Sequence, residues 1–375
     1  MNSPLQTLVR FTLAVALALG LSQTSSALAG EKSIVVAQSI DLSGPNGAIG
    51  HDYVAGLTSY FDSVNQSGGV NGRKIRFIVR DDHGDANLAI AATRELIEQE
   101  KPQYLLGGIG PEVTRAVLGS PAFLRSNLMM FAPLTDAQAA FGNRALVWRP
   151  SKEQEMQYIF SYFDKLGIKN IGVAYGDSPY YQEAWAYVAK EIHQRGMKLT
   201  GSIQFSSNNP APQALKLAQT RPDIVICLLD TINTGLFLKS FRKHASKTFV
   251  AGTSLTNLAT LAEIAGNNAM EWTVFSQVVP NPNAASSAIQ IEHAKTMRKF
   301  RDEAISSMTF EGFAVAKTLV HAMQNTPGNG SADLQTLTRS NIDLGGLRLV
   351  RTDGAANLSQ FVDIALFRRG GSLLY

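Results

Sequence analysis

Short apolar runs of strand length alternate with longer stretches of helical period from residue 33 almost to the end of the chain. Residues 33–38 (SIVVAQ) form the first run. Tyr53, Val54, Leu57, Tyr60, Phe61 and Val64 then recur at helical spacing. Gly68-Gly69 stops that helix, because glycine takes up the left-handed conformation that a C-cap needs. Asn71-Gly72 makes a tight turn, since both residues tolerate φ > 0. Residues 74–79 are a second strand. Further strands are expected at 103–108 and 128–132, and helices at 51–64, 88–100 and 112–124.

A second series of the same rhythm begins after Trp148-Arg149-Pro150. Its strands fall near 170–175, 199–205, 223–229 and 248–251, and its helices near 153–166, 181–193, 212–219 and 235–244. Strict alternation implies parallel sheets with right-handed crossovers. The chain therefore reads as α/β, with two doubly wound lobes of like architecture. Residues 271–280 read as a strand that runs into Asn-Pro-Asn, a return crossing. Helices at 288–304 and 309–323 then rejoin the first lobe, while 347–350 and 361–367 read as a terminal hairpin around Asp353-Gly354. On this reading the first lobe is 30–149 plus 279–343 and the second is 150–278 plus 344–375.

Composition narrows the compartment and the partners. A chain of 375 residues is long enough for two ordinary domains. With 45% hydrophobic and 17% charged residues it suits helices packed on both faces of parallel sheets. Arg10 precedes an apolar run at 11–21, followed by a polar stretch and Ala27-Leu28-Ala29. This is the layout of a secretory signal cleaved after Ala29, and the run is too short to span a bilayer. Removing it lowers the net charge from +4 to about +3. A mildly basic chain without a basic stripe is not expected to bind nucleic acid. The single cysteine, Cys227, lies in an apolar run, so no disulfide framework is expected. The expectation is a periplasmic, monomeric protein free in solution.

Four segments, in order, carry a resemblance. They are Asp41-Leu42-Ser43-Gly44-Pro45 with Gly50; Gly68-Gly69-Val70-Asn71-Gly72-Arg73-Lys74 with Asp81-Asp82; Gly176-Asp177-Ser178-Pro179-Tyr180-Tyr181; and Asp353-Gly354. From about residue 33 onward the chain thereby resembles type I periplasmic solute-binding proteins of the branched-chain amino acid (Leu/Ile/Val-binding) type. The resemblance implies two lobes joined by a three-strand hinge, closing over a small, amino-acid-like organic solute. It implies docking of the closed complex on an ABC permease, and no cofactor.

In open α/β sheets ligands bind beyond the carboxyl ends of the strands. The loops so placed are 43–50, 108–114, 133–136, 177–181, 230–233 and 253–257. Gly110 and Pro111 open a helix whose bare N-terminus can bind an anion. The serines that the family places there are absent, and Glu112 reads as a first-turn acid favoured by the helix dipole. Thr135 and Asp136 match a family segment that offers a hydroxyl to the ligand, although Asp136 equally fits a helix N-cap. Tyr181 matches the family tyrosine that stacks on or hydrogen-bonds the solute, and equally fits a half-exposed aromatic on the next helix. Asp230 follows a buried strand and faces the expected cleft. At Gly252-Thr253-Ser254, amino-acid-binding members carry an acid for the ligand ammonium, and this chain has Ser254. Either Asp230 or Asp136 supplies that charge, or the ligand is not a free α-amino acid but an aromatic acid, a short amide or another small organic solute. Ile49, at a family polar or aromatic position, points the same way.

Other constellations add nothing. Asp81-Asp82-His83-Gly84-Asp85 has neither EF-hand nor zinc-site spacing and reads as a solvated loop. Ser240 and Lys243 form an S-x-x-K without its companion elements. There is no G-x-S-x-G and no Walker loop. A non-enzymatic solute receptor for an ABC importer is the leading expectation. Its alternatives are a ligand-sensing module of the same fold acting on a signalling partner, and an exported hydrolase using Asp136 or Asp230.

Overall fold

The structure, a computed structural model, describes residues 33–135, 142–325, 330–339, 341–350, 357–367 and 373–375. The expected signal segment, Asp136 and the Asp353-Gly354 turn lie outside these residues. β1 (Ile34–Ile40) leads to α1 (Gly47–Gln66), β2 (Ile75–Asp81) to α2 (Ala86–Glu95), and β3 (Tyr104–Leu106) to α3 (Pro111–Gly119) and α4 (Pro121–Arg125). β4 (Met130–Phe131) and β5 (Ala145–Leu146) complete a parallel sheet in the order β2-β1-β3-β4-β5. β1 is buried along its whole length, as a strand covered on both faces must be. The single helix expected over 112–124 is broken at Ser120-Pro121. Proline cannot supply the N–H an unbroken helix needs there, and the Ser120 hydroxyl accepts from Phe123 N–H to start α4 afresh.

The chain then builds α5 (Lys152–Lys165), β6 (Asn170–Tyr175), α6 (Pro179–Gln194), β7 (Lys198–Gln204), α7 (Pro210–Gln219), β8 (Ile224–Leu228) and α8 (Thr231–Phe241). β9 (Phe249–Gly252), α9 (Leu258–Ala265), α10 (Asn267–Met270) and β10 (Thr273–Gln277) follow. After β10 come α11 (Ala288–Phe300), α12 (Ser307–Asn325), α13 (Ser331–Thr336), β11 (Ile342–Asp343) and β12 (Arg348–Leu349). β13 (Asp363–Phe367) and β14 (Leu373–Leu374) close the chain on the second sheet, where β13 runs antiparallel to β10. That sheet is ordered β7-β6-β8-β9-β10-β13-β14. Counted from each lobe's own first strand, both sheets share the order 2-1-3-4-5. Each therefore has a topological switch point between its first and third strands.

The return of α11 and α12 to the first lobe, expected from the sequence, is secured at a close helix crossing. A Cβ at Gly56 would overlap the Thr309 carbonyl, and one at Gly312 would overlap the Tyr53 carbonyl, so the α1 and α12 backbones touch. Tyr53, Leu57, Phe61, Phe310 and Phe313 are buried around this contact. Each apolar side chain so buried contributes about 1.5–3 kcal/mol.

Two expectations at the C-terminal end are corrected. The hairpin between 347–350 and 361–367 does not form. Arg348–Leu349 pairs instead with Ile342–Asp343 across a turn in which the Asp343 carboxylate accepts from Gly345 and Gly346 N–H at 2.8 and 2.6 Å. This places Leu344, Leu347 and Leu349 in the first lobe's core, because that is where apolar cover is available. Residues 344–350 thus belong to the first lobe, and the chain joins the second sheet at Asp363. Among the described residues three segments connect the sheets: Trp148-Arg149 after β5, Val278-Val279 after β10, and residues 357–359. The last runs beside the first, with Leu358 N–H donating to Val147 O at 3.1 Å and Ser359 N–H to Trp148 O at 2.7 Å.

Candidate functional site

Loops after β1, β2, β3, β6, β8 and β9 converge on a cavity of about 360 Å³. The first lobe contributes Asn46, Gly84 and residues 109–113, and the second contributes Lys152, Asp177, Tyr180, Tyr181, Asp230, Thr253 and Leu255. The cavity thus lies at the switch points of both sheets, where open α/β folds bind ligands.

The acidic run 81–85 shapes this rim by holding loops. Asp81 accepts from Leu42 N–H and His83 N–H, both at 2.9 Å, and from the Ser43 hydroxyl at 2.6 Å. Burial pushes its carboxyl up, but these hydrogen bonds outweigh burial and hold it at about 2. Asp82 is raised, chiefly by burial, while accepting from the Ser39 hydroxyl at 2.8 Å. Asp85 caps α2 through Asn87 and Leu88 N–H. Asp41 ties the β1–α1 loop by accepting from Gly44 and Asn46 N–H at 2.6 and 2.8 Å. Among the described residues no cluster suited to a metal ion is present.

Helix N-termini line the cavity walls. Gly110 has φ +91° and ψ 153°, a conformation that glycine reaches without steric cost. It turns the chain so that Pro111 starts α3 without a side-chain cap. Pro179 likewise starts α6, and no side chain caps that end. The first N–H groups of α3 are thus left for solvent or a ligand, whereas in α6 Tyr181 N–H donates to Ser178 O at 3.0 Å. Lys152 is the first residue of α5, whose own cap is the Ser151–Gln154 box. It is 94% buried, and its Nζ lies 4.5 Å from the centre of the Tyr180 ring. Tyr180 meets Tyr181 edge-on with ring centres 5.1 Å apart. The Asp230 carboxylate caps α8, accepting from Asn233 N–H at 2.8 Å and Asn233 Nδ2 at 2.6 Å.

The structure therefore brings Gly110, Pro111, Tyr181, Asp230 and Thr253 together. It keeps Ile49 and Thr135 out of this cavity's lining. Ile49 is in the first lobe's core and Thr135 is fully buried beside the Ile109–Leu134 bridge. Asp136 lies outside the described residues. Ser254 lies at a second cavity of about 410 Å³, with Thr256, Gln277 and Ser306. Its hydroxyl accepts from Arg149 Nη2 at 2.8 Å and its N–H donates to Glu155 at 3.0 Å. Arg149 in turn pairs with Glu311 at 3.2 Å, so a buried ionic network spans α5, α12 and the first interlobe segment. Lys152 went unrecognised in the sequence. The signal that could have found it is a cation at the positive end of a helix dipole, where acids are favoured.

Two α/β lobes, linked among the described residues by three segments around a cavity at paired switch points, define a bilobal binding protein. The family model for periplasmic binding proteins matches residues 33–356, and the chain belongs to that family. It is 24% identical over 332 residues, 85% of each chain, to Leu/Ile/Val-binding protein homolog 1 of Brucella melitensis. A substrate-binding periplasmic protein from Ralstonia solanacearum shares the fold, with a TM-score of 0.82 at 23% identity over 91% of this chain and 99% of that one. So does the branched-chain amino acid transporter substrate-binding protein LivJ of Streptococcus pneumoniae in complex with isoleucine, with a TM-score of 0.78 at 15% identity over 91% and 97%.

Proposed function

We propose that this protein captures a small organic solute in the interlobe cavity and delivers it to an ABC importer. The observation that carries this is the cavity itself, built from strand-end loops of both sheets across a three-segment hinge. Ligand contact on both sides of such a hinge favours the closed form, which the permease then recognises. The Leu/Ile/Val-binding names of its relatives support an amino-acid-like or related organic-acid solute. The protein acts as a periplasmic monomer after cleavage behind Ala29, without catalysing a reaction. The test is a melting-shift screen of ligand-stripped protein against amino acids, their amides and aromatic acids. Binding at about 100 times Kd stabilises the folded state by about 2.7 kcal/mol, an easily measured shift. A uniformly flat screen would refute solute capture.

A further inference from the structure

We infer that Lys152 is the anchor for an anionic headgroup, so that the solute is an organic carboxylate held from the second lobe. This rests on the solute-capture reading above. Three features of Lys152 are unfavourable without a ligand. Its side chain is 94% buried. It stands at the first position of α5, where the helix dipole opposes a positive charge. Its ammonium gains a favourable contact with the Tyr180 ring face at 4.5 Å, but it pairs with no carboxylate among the described residues. A buried cation without a counter-ion is costly, and an anion placed in the cavity removes that cost.

The surroundings fit a carboxylate. The N-terminus of α3, which no side chain caps, lines the same cavity and presents its first N–H groups and positive dipole charge. The cavity also contains three acids, Glu112, Asp177 and Asp230. Glu112 and Asp177 are exposed, and both acceptor oxygens of Asp230 are engaged by Asn233. The one buried charge in the lining is therefore positive. Tyr180, Tyr181, Leu229 and Leu255 offer the apolar contact for the remainder of the molecule.

The experiment uses matched acid and amide pairs on ligand-stripped full-length mature protein: benzoate and benzamide, 4-methylpentanoate and 4-methylpentanamide, leucine and leucinamide. Melting shifts and calorimetric Kd values are read for the parent, Lys152→Met and Lys152→Arg. The expected result is that the acid of at least one pair binds and its amide does not. Lys152→Met should then bind that acid about 10- to 100-fold more weakly, the range for a lost charge-assisted hydrogen bond, while Lys152→Arg restores much of the affinity. Amides binding as tightly as their acids, or Lys152→Met binding the acid unchanged, overturns the inference and leaves solute capture standing. No binding by any of the six compounds counts against both. The comparison of acids with amides needs no variant, so a misfolded Lys152→Met protein still leaves a decisive result.

Discussion

Replacing Arg149 by methionine should destabilise the protein strongly and in a pH-dependent way. The guanidinium lies 3.2 Å from each Glu311 oxygen, through Nε and Nη2, and Nη2 also donates to Ser254 Oγ at 2.8 Å. Arg149, Glu155 and Glu311 are each at most 1% exposed. Without the guanidinium, two buried carboxylates are left with no cation between them. Breaking a buried pair from one side costs about 3–5 kcal/mol. Burial already raises the Glu311 carboxyl, opposed by Arg149 and reinforced by Glu155. Losing Arg149 raises it further, at about 1.4 kcal/mol per unit. A carboxyl whose folded pKa exceeds its unfolded value contributes stability that is complete below the unfolded pKa and lost as pH rises through the folded one. The deficit of Arg149→Met relative to the parent should therefore be largest at about pH 8 and shrink toward about pH 5. Urea unfolding at several pH values measures it, provided the m-value is unchanged. Adding Glu311→Gln should recover part of the loss, with a coupling of about 1–3 kcal/mol. A deficit below about 1 kcal/mol, or one flat with pH, would refute the ion-pair account.

Two further outcomes concern the first lobe. His293 is fully buried and stacked on Phe310, and burial lowers its pKa from 6.5 to about 4. With the folded pKa below the unfolded one, its contribution is present above pH 6.5 and is lost as pH falls toward 4, by up to about 3 kcal/mol. His293→Gln should flatten that acid slope in a stability–pH profile. Gly312→Ala should lower stability by about 1–3 kcal/mol by pressing a methyl group on the Tyr53 carbonyl. Gly56→Ala should be similar, and the double variant non-additive because both act on one helix crossing. Thermal unfolding reads both, and unchanged melting would mean that α1 and α12 are not in backbone contact.

Much of the scaffold was legible along the chain because its signals are local. Alternating runs identified the strands and helices, Gly110-Pro111 marked a helix start, and Asp230 followed its strand into the cavity rim. The C-terminal pairing was not legible, because two short strands can pair with any edge of the right register. The Asp343–Gly346 turn and the apolar needs of Leu344 and Leu347 chose the first lobe.

The sequence by itself determined the order of elements, and with it which loops stand at the carboxyl ends of strands. It could not determine which side chains on those loops face the cavity, because that depends on contacts between segments far apart in the chain, such as residues 149 and 155 with 254. Ser254 reads as a ligand residue in isolation, yet it is engaged by Arg149 and Glu155. Ile49 is drawn into the core by its apolar neighbours. Lys152 carries only a weak local signal, and tertiary packing made it the buried cation of the cavity.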